Sequence, residues 1–85
     1  MFVKILIKNV DGVFRSTIFE CYKASFQPIP EDSNYWKEGE KLSLLQIYNN
    51  EVPNGGIIDY IVNHRADDFH IYYLNSEGQT IDKVV

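Results

Sequence analysis

Two histidines, one arginine and two aspartates fall within nine residues of this chain, in the stretch VNHRADDFH that ends at His70. Imidazole and carboxylate groups at close spacing can hold a metal ion or share acid/base work. Both uses require side chains that converge. Zinc needs three or four ligands, and its usual sites bring cysteines or tightly spaced histidine pairs.

The elements on either side decide whether convergence is expected. IIDYIVNH and FHIYYLN are dense in Ile, Val, Tyr and Phe and read as two strands. With RADD as the connecting loop, Val62 lies opposite Ile71 and Tyr60 opposite Tyr73, which pairs apolar with apolar. His64 then lies opposite Phe69 and Asn63 opposite His70. Side chains alternate along a strand, so the two histidines are expected on opposite faces. Bringing His64 against His70 would need a longer loop and would expel Phe69 into water. Asp67 and Asp68 are common turn formers that bond to their own backbone. The stretch is expected to be a turn, with no metal and no cofactor.

Other candidate chemistry is weaker. The acid pairs Glu31-Asp32 and Asp67-Asp68 fall in polar connections, where solvation leaves nothing to tune their pKa values. A Ser–His–Asp set can be drawn from Ser25, Ser33, Ser43, His64 and Asp59, but no G-x-S-x-G elbow supports it. Gly55-Gly56 lacks the Gly-Lys-Ser/Thr ending of a phosphate loop. No catalytic residue is assigned, and the chain is expected not to be an enzyme.

Eight basic and twelve acidic residues give a net charge of −4. That sign disfavours phosphate-backbone binding, which needs clustered Lys and Arg. The six tyrosines could form a stacking platform for single-stranded nucleic acid, but without interleaved basic residues nothing draws the backbone in. Only a stripe made of Lys4, Lys8, Arg15 and Lys23 would revive that reading. Cys21 is the single cysteine, so no internal disulfide forms, and its apolar neighbours predict a packed thiol. No run approaches the ~20 apolar residues of a membrane span. The expectation is a soluble, cytoplasmic protein that binds no nucleic acid, membrane or metal.

With 85 residues, 45% apolar and 14% aromatic, the chain suits one small folded domain over residues 1–85. FVKILIKNV and VFRSTIFECY flank Asp11-Gly12, a strong hairpin signal. Taking Val10 opposite Val13, one face gathers Val3, Ile5, Ile7, Phe14, Ile18 and Tyr22 as core. The other carries Lys4, Lys8, Arg15 and Thr17, yet also Phe2, Leu6, Val13 and Phe19. That second face is only half covered by charge. KLSLLQIYNN is a third strand, and QTIDKVV a last one after the turn NSEG, whose Gly78 takes the left-handed position of a type I turn with a bulge. About six strands with apolar residues on both faces predict an all-β antiparallel domain, as a curled sheet or small barrel. At most one short helical turn is expected, near residues 31–36.

One feature suggests binding. Tyr35-Trp36-Lys37 places the only tryptophan in the longest polar connection. Trp and Tyr are common interface anchors, and the competing role is a plug that closes an open barrel end. The sequence therefore predicts a non-catalytic domain that binds another protein or itself as a homodimer, with contacts from Tyr35, Trp36 and Lys37. Such a chain would suit an accessory or inhibitor protein of a bacterium or phage. The alternatives are a small enzyme or ligand binder with a barrel pocket, which needs a histidine buried beside Asp59 or Asp82, and a nucleic-acid-binding barrel.

Overall fold

The computed structural model describes residues 1–9, 11–36, 41–51, 56–64 and 68–85. These form seven strands: β1 (Phe2–Lys8), β2 (Phe14–Glu20), β3 (Lys23–Pro28), β4 (Lys41–Tyr48), β5 (Ile57–His64), β6 (Phe69–Leu74) and β7 (Thr80–Lys83). The expected antiparallel all-β architecture is present as two stacked, open sheets. One sheet has the order β2-β1-β6-β7 and the other β3-β4-β5. A shortest dimension of 15 Å fits two layers about 10 Å apart.

The first hairpin corrects the expected register. The Asn9 amide donates to the Val13 carbonyl, and the Gly12 amide to the Asn9 carbonyl, both at 2.9 Å. The loop therefore has three residues, and Ile5 lies opposite Thr17 rather than Ile18. A slip of one residue turns every side chain of β2 over. Phe19 now faces the core with Val3, while Phe14 and Ile18 join Phe2, Lys4 and Leu6 outside. The last hairpin has the same design, as expected: the Gly78 amide donates to the Asn75 carbonyl and the Asn75 amide to the Gln79 carbonyl.

Gly12 and Gly78 both sit at positive φ, 83° and 82°. Space is open around the Cβ that any other residue would add at Gly12, so backbone strain alone should set the cost of a substitution. Gly12→Val is expected to lose about 1–2 kcal/mol. Urea melts of the variant check this, and an unchanged midpoint would mean that position 12 carries no strain.

The stretch IFECYKASF, whose composition reads as one continuous strand, is divided between two. The Cys21 amide closes the β1–β2 ladder on the Met1 carbonyl, and the next amide, of Tyr22, bonds the Tyr48 carbonyl in the other sheet. The chain thus changes sheets within one residue, with Cys21 buried at the corner. A second change of sheet corrects the VNHRADDFH reading. β5 pairs with β4 and β6 with β1 and β7, so β5 and β6 are not a hairpin. Residues 65–67 lie outside the described residues.

The core lies between the sheets. Val3, Ile5 and Ile71 from one sheet meet Leu45, Ile47 and Val62 from the other, together with Cys21. Aromatic pairs bridge the layers: Phe19 against Tyr60 at 5.5 Å and Phe26 against Phe69 at 5.6 Å between ring centroids. The Tyr73 hydroxyl crosses as well. It accepts the Ala24 amide at 3.0 Å and donates to the Ala24 carbonyl at 2.6 Å, which satisfies the outer edge of β3.

Candidate partner-binding surface

Alternation sends every second residue of the four-stranded sheet away from the core. Across β1, β2 and β6 the outer face carries Phe2, Leu6, Phe14, Ile18 and Tyr72, with Leu74 on the same side but buried. Ladder partners shift by one residue at Tyr73/Leu74, which leaves Ile81 unmatched across the β6–β7 pair. Phe14, Ile18 and Ile81 are 60%, 56% and 57% exposed. A shallow groove of about 310 Å³ runs between Phe2, Ile18, Leu74 and the turn Asn75–Gly78.

The charges of this face are mixed. Lys4 lies beside Ile18 and Tyr72, Lys8 beside Phe14, and Lys83 beside Tyr72, against Glu20 next to Phe2. Asp68 lies in register with Lys8 and Glu77 lines the groove, so three lysines and three carboxylates share this face. The Lys8 ammonium stands 5.9 Å from the Phe14 ring centroid, near the outer limit of a cation–π contact.

The aromatic loop occupies the other side of the molecule. After β3, Ile29 is buried and its amide bonds the Leu42 carbonyl. Two successive turns follow, from Pro30 to Ser33 and from Ser33 to Trp36, in place of a helical turn. The Ser33 hydroxyl accepts the Tyr35 amide, and the Trp36 indole N–H donates to the Pro30 carbonyl. Trp36 shares a cleft with Tyr35, Leu42, Ile61 and Asn63. The loop therefore lies over the outer face of β4 and β5, where the sequence suggested a barrel end. Trp36 is half-buried, Tyr35 is 59% exposed, and Lys37 lies outside the described residues.

The two histidines stand on different layers. His64 faces the core, its ring 4.3 Å from Phe69, because even-numbered residues of β5 point inward with Val62. His70 lies on the outer face of the four-stranded sheet, beside Tyr72. Asp59 is on the outer side of β5, opposite Gln46, and Asp82 pairs in register with the inward-facing Tyr73. Neither aspartate shares a face with the nearer histidine on its own sheet. Among the described residues no three His, Cys, Asp or Glu side chains converge on one point.

The basic stripe is not assembled either. Lys23 is on β3 in the three-stranded sheet, its ammonium 4.7 Å from the Tyr48 ring centroid, a layer away from Lys4 and Lys8. No described helix is long and apolar enough to cross a membrane.

His64 does have a physical signature. Its Nδ1 is buried without a hydrogen-bond partner. Burial pulls its pKa down, the Val62 carbonyl opposes this, and the Lys41 ammonium adds to it. The folded state then resists a proton that the unfolded chain accepts, so this contribution is complete above about pH 6.5 and declines as pH falls below it. The melting temperature should drop between pH 7.5 and pH 5, and less so in His64→Leu. Parallel pH curves for the two proteins would remove His64 from the account. Burial likewise raises the Cys21 thiol, which keeps it protonated and packed.

The class defined by this geometry is a small two-layer antiparallel β-sandwich. No protein-family model matches the chain, and no curated protein or solved structure matches it significantly.

Proposed function

We propose that this is a non-catalytic protein-binding domain, and that the outer face of the four-stranded sheet docks its partner. The exposed Ile18, which lines the groove with Phe2, and the exposed Phe14 on the same strand carry this reading. Contiguous apolar surface rimmed by polar groups is the usual mark of an interaction site. Lys4 at the centre of the face and the mixed charges of Lys8, Lys83, Glu20 and Asp68 around it suit a partner that offers both apolar and polar contacts. Tyr35 and Trp36, on the opposite side, offer a second contact. A small cytoplasmic accessory or inhibitor protein fits this description. Catalysis and nucleic-acid binding have less support, since His64 and Asp59 are separated by the β5 backbone and the basic residues by the sandwich itself.

The test is capture from a lysate of the source organism by the tagged protein, with identification by mass spectrometry. A specific partner retained by the wild type should be lost in Ile18→Glu. Binding that is equal in Ile18→Glu and wild type would reject this face as the site.

A further inference from the structure

A two-sheet sandwich has four edge strands, and each exposes unpaired backbone groups that can template another strand. Three of the four are guarded here. β3 starts at Lys23, ends at Pro28, and has its Ala24 backbone capped by the Tyr73 hydroxyl. β7 has four residues and an irregular ladder. β2 carries Arg15 and Glu20 along its seven residues.

β5 has only one charge as a guard. It runs eight residues, IIDYIVNH, in unbroken register with β4. It contains no Lys, Arg or Pro, and its one charge is Asp59. Ile57, Ile58 and Ile61 are exposed although they belong to both faces of the strand. No described element pairs with its outer edge.

The phase of its hydrogen bonds is fixed. The Asn49 amide donates to the Gly56 carbonyl at 3.2 Å, in the same register that pairs Tyr48 with Ile57. Even-numbered residues therefore bond to β4, and the amides and carbonyls of Ile57, Asp59, Ile61 and Asn63 point outward.

We infer that β5 pairs antiparallel with β5 of a second copy about a two-fold axis at Ile61, which joins two three-stranded sheets into one of six. The sequence of the strand favours itself as occupant. In this register Ile61 meets Ile61 of the second copy, and Asp59 and Asn63 exchange backbone bonds with Asn63 and Asp59. All of these residues are outward-bonding, so the ladder is satisfied. The only charge faces an amide and not its own copy. On the inner face Tyr60 meets Val62 and Ile58 covers His64, so each layer keeps its apolar side. A two-fold contact of this kind closes on itself and stops at a dimer. Ile61 also lines the cleft with Tyr35 and Trp36, so the second copy sits beside the aromatic loop.

This inference names the partner within the protein-binding reading but uses a different surface, so the two fail separately: the lysate capture tests Ile18, and the following experiment tests Ile61. Sedimentation of the purified wild type from ~1 µM to ~1 mM, a range that reveals dissociation constants as weak as ~100 µM, should show a monomer–dimer equilibrium. Ile61→Lys sets two like charges face to face at the axis and should leave only monomer with an unchanged circular dichroism spectrum. Ile61→Cys should form a symmetric disulfide under mild oxidation, whereas Ile18→Cys should not. A wild type that stays monomeric throughout overturns the proposal. So does a dimer that survives Ile61→Lys but is lost in Ile18→Lys, which would move self-association to the outer face. If Ile61→Lys does not fold, the cysteine pair decides: no cross-link at position 61 overturns the proposal.

Discussion

Tyr73→Phe is expected to destabilise the fold by about 2–3 kcal/mol, a large effect for the loss of one oxygen. The hydroxyl holds both the amide and the carbonyl of Ala24, on the edge of β3 that β4 does not reach. Removing it leaves two backbone groups without partners, at ~1–3 kcal/mol for each group that is fully buried. The site is only partly buried, so water recovers part of that sum. Tyr72→Phe is the control, since Tyr72 turns to the outer face and should change stability by no more than ~0.5 kcal/mol. Urea melts of both variants, with exchange of the Ala24 amide as a local reporter, separate the two cases. Equal losses for Tyr72 and Tyr73 would mean that the hydroxyl does not tie β3 to β6.

The hairpins show what was legible in the sequence. NSEG reads directly as Asn at the first turn position with Gly at the left-handed one, and the structure has that turn. NVDG, residues 9–12, has the same spacing of Asn and Gly, but the Asp-Gly pair inside it also suits a two-residue loop. Choosing the two-residue loop shifts the register by one and turns β2 over. The consequence is functional, because the correct register moves Phe14 and Ile18 from the expected core to the uncovered outer face. The two-residue loop thus places the stretch that carries the proposed site in the interior.

The split between β2 and β3 left a trace that could have been read. Phe19 and Cys21 are inward at odd numbers, whereas Ala24 and Phe26 are inward at even ones. A strand that stayed in one sheet would keep its parity. The change at Cys21-Tyr22 marks the corner, although no Pro or Gly announces it. β5 and β6 left no such trace. Their apolar residues match equally well as ladder neighbours or as faces opposed across a core, and the pairing of His64 with Phe69 holds in both. Only the pairing of β6 with β1, which is non-local, selects the sandwich. Trp36 was legible as an anomaly in a polar connection but not as to its resting place, because an open sandwich offers no barrel end to fill.

Trp36→Ala is expected to cost about 2–3 kcal/mol, below the ~3–5 kcal/mol of a fully buried aromatic. The indole is half-buried over the outer face of β4 and β5, and its N–H is tied to the Pro30 carbonyl. Its removal opens the cleft over Leu42 and Ile61 and releases the two turns between Pro30 and Trp36. Ile29 has Leu42 as its backbone partner, so the start of the loop should stay in place. The size of the loss identifies the role, provided it is measured at several protein concentrations. A loop anchor produces the same deficit at each of them, because only intramolecular contacts are removed. A residue that also touches a second copy produces a deficit that grows with concentration, since association stabilises the wild type by mass action and the variant less. A loss below ~0.5 kcal/mol at every concentration, in the range of ordinary surface changes, would show that Trp36 neither holds the loop down nor supports association.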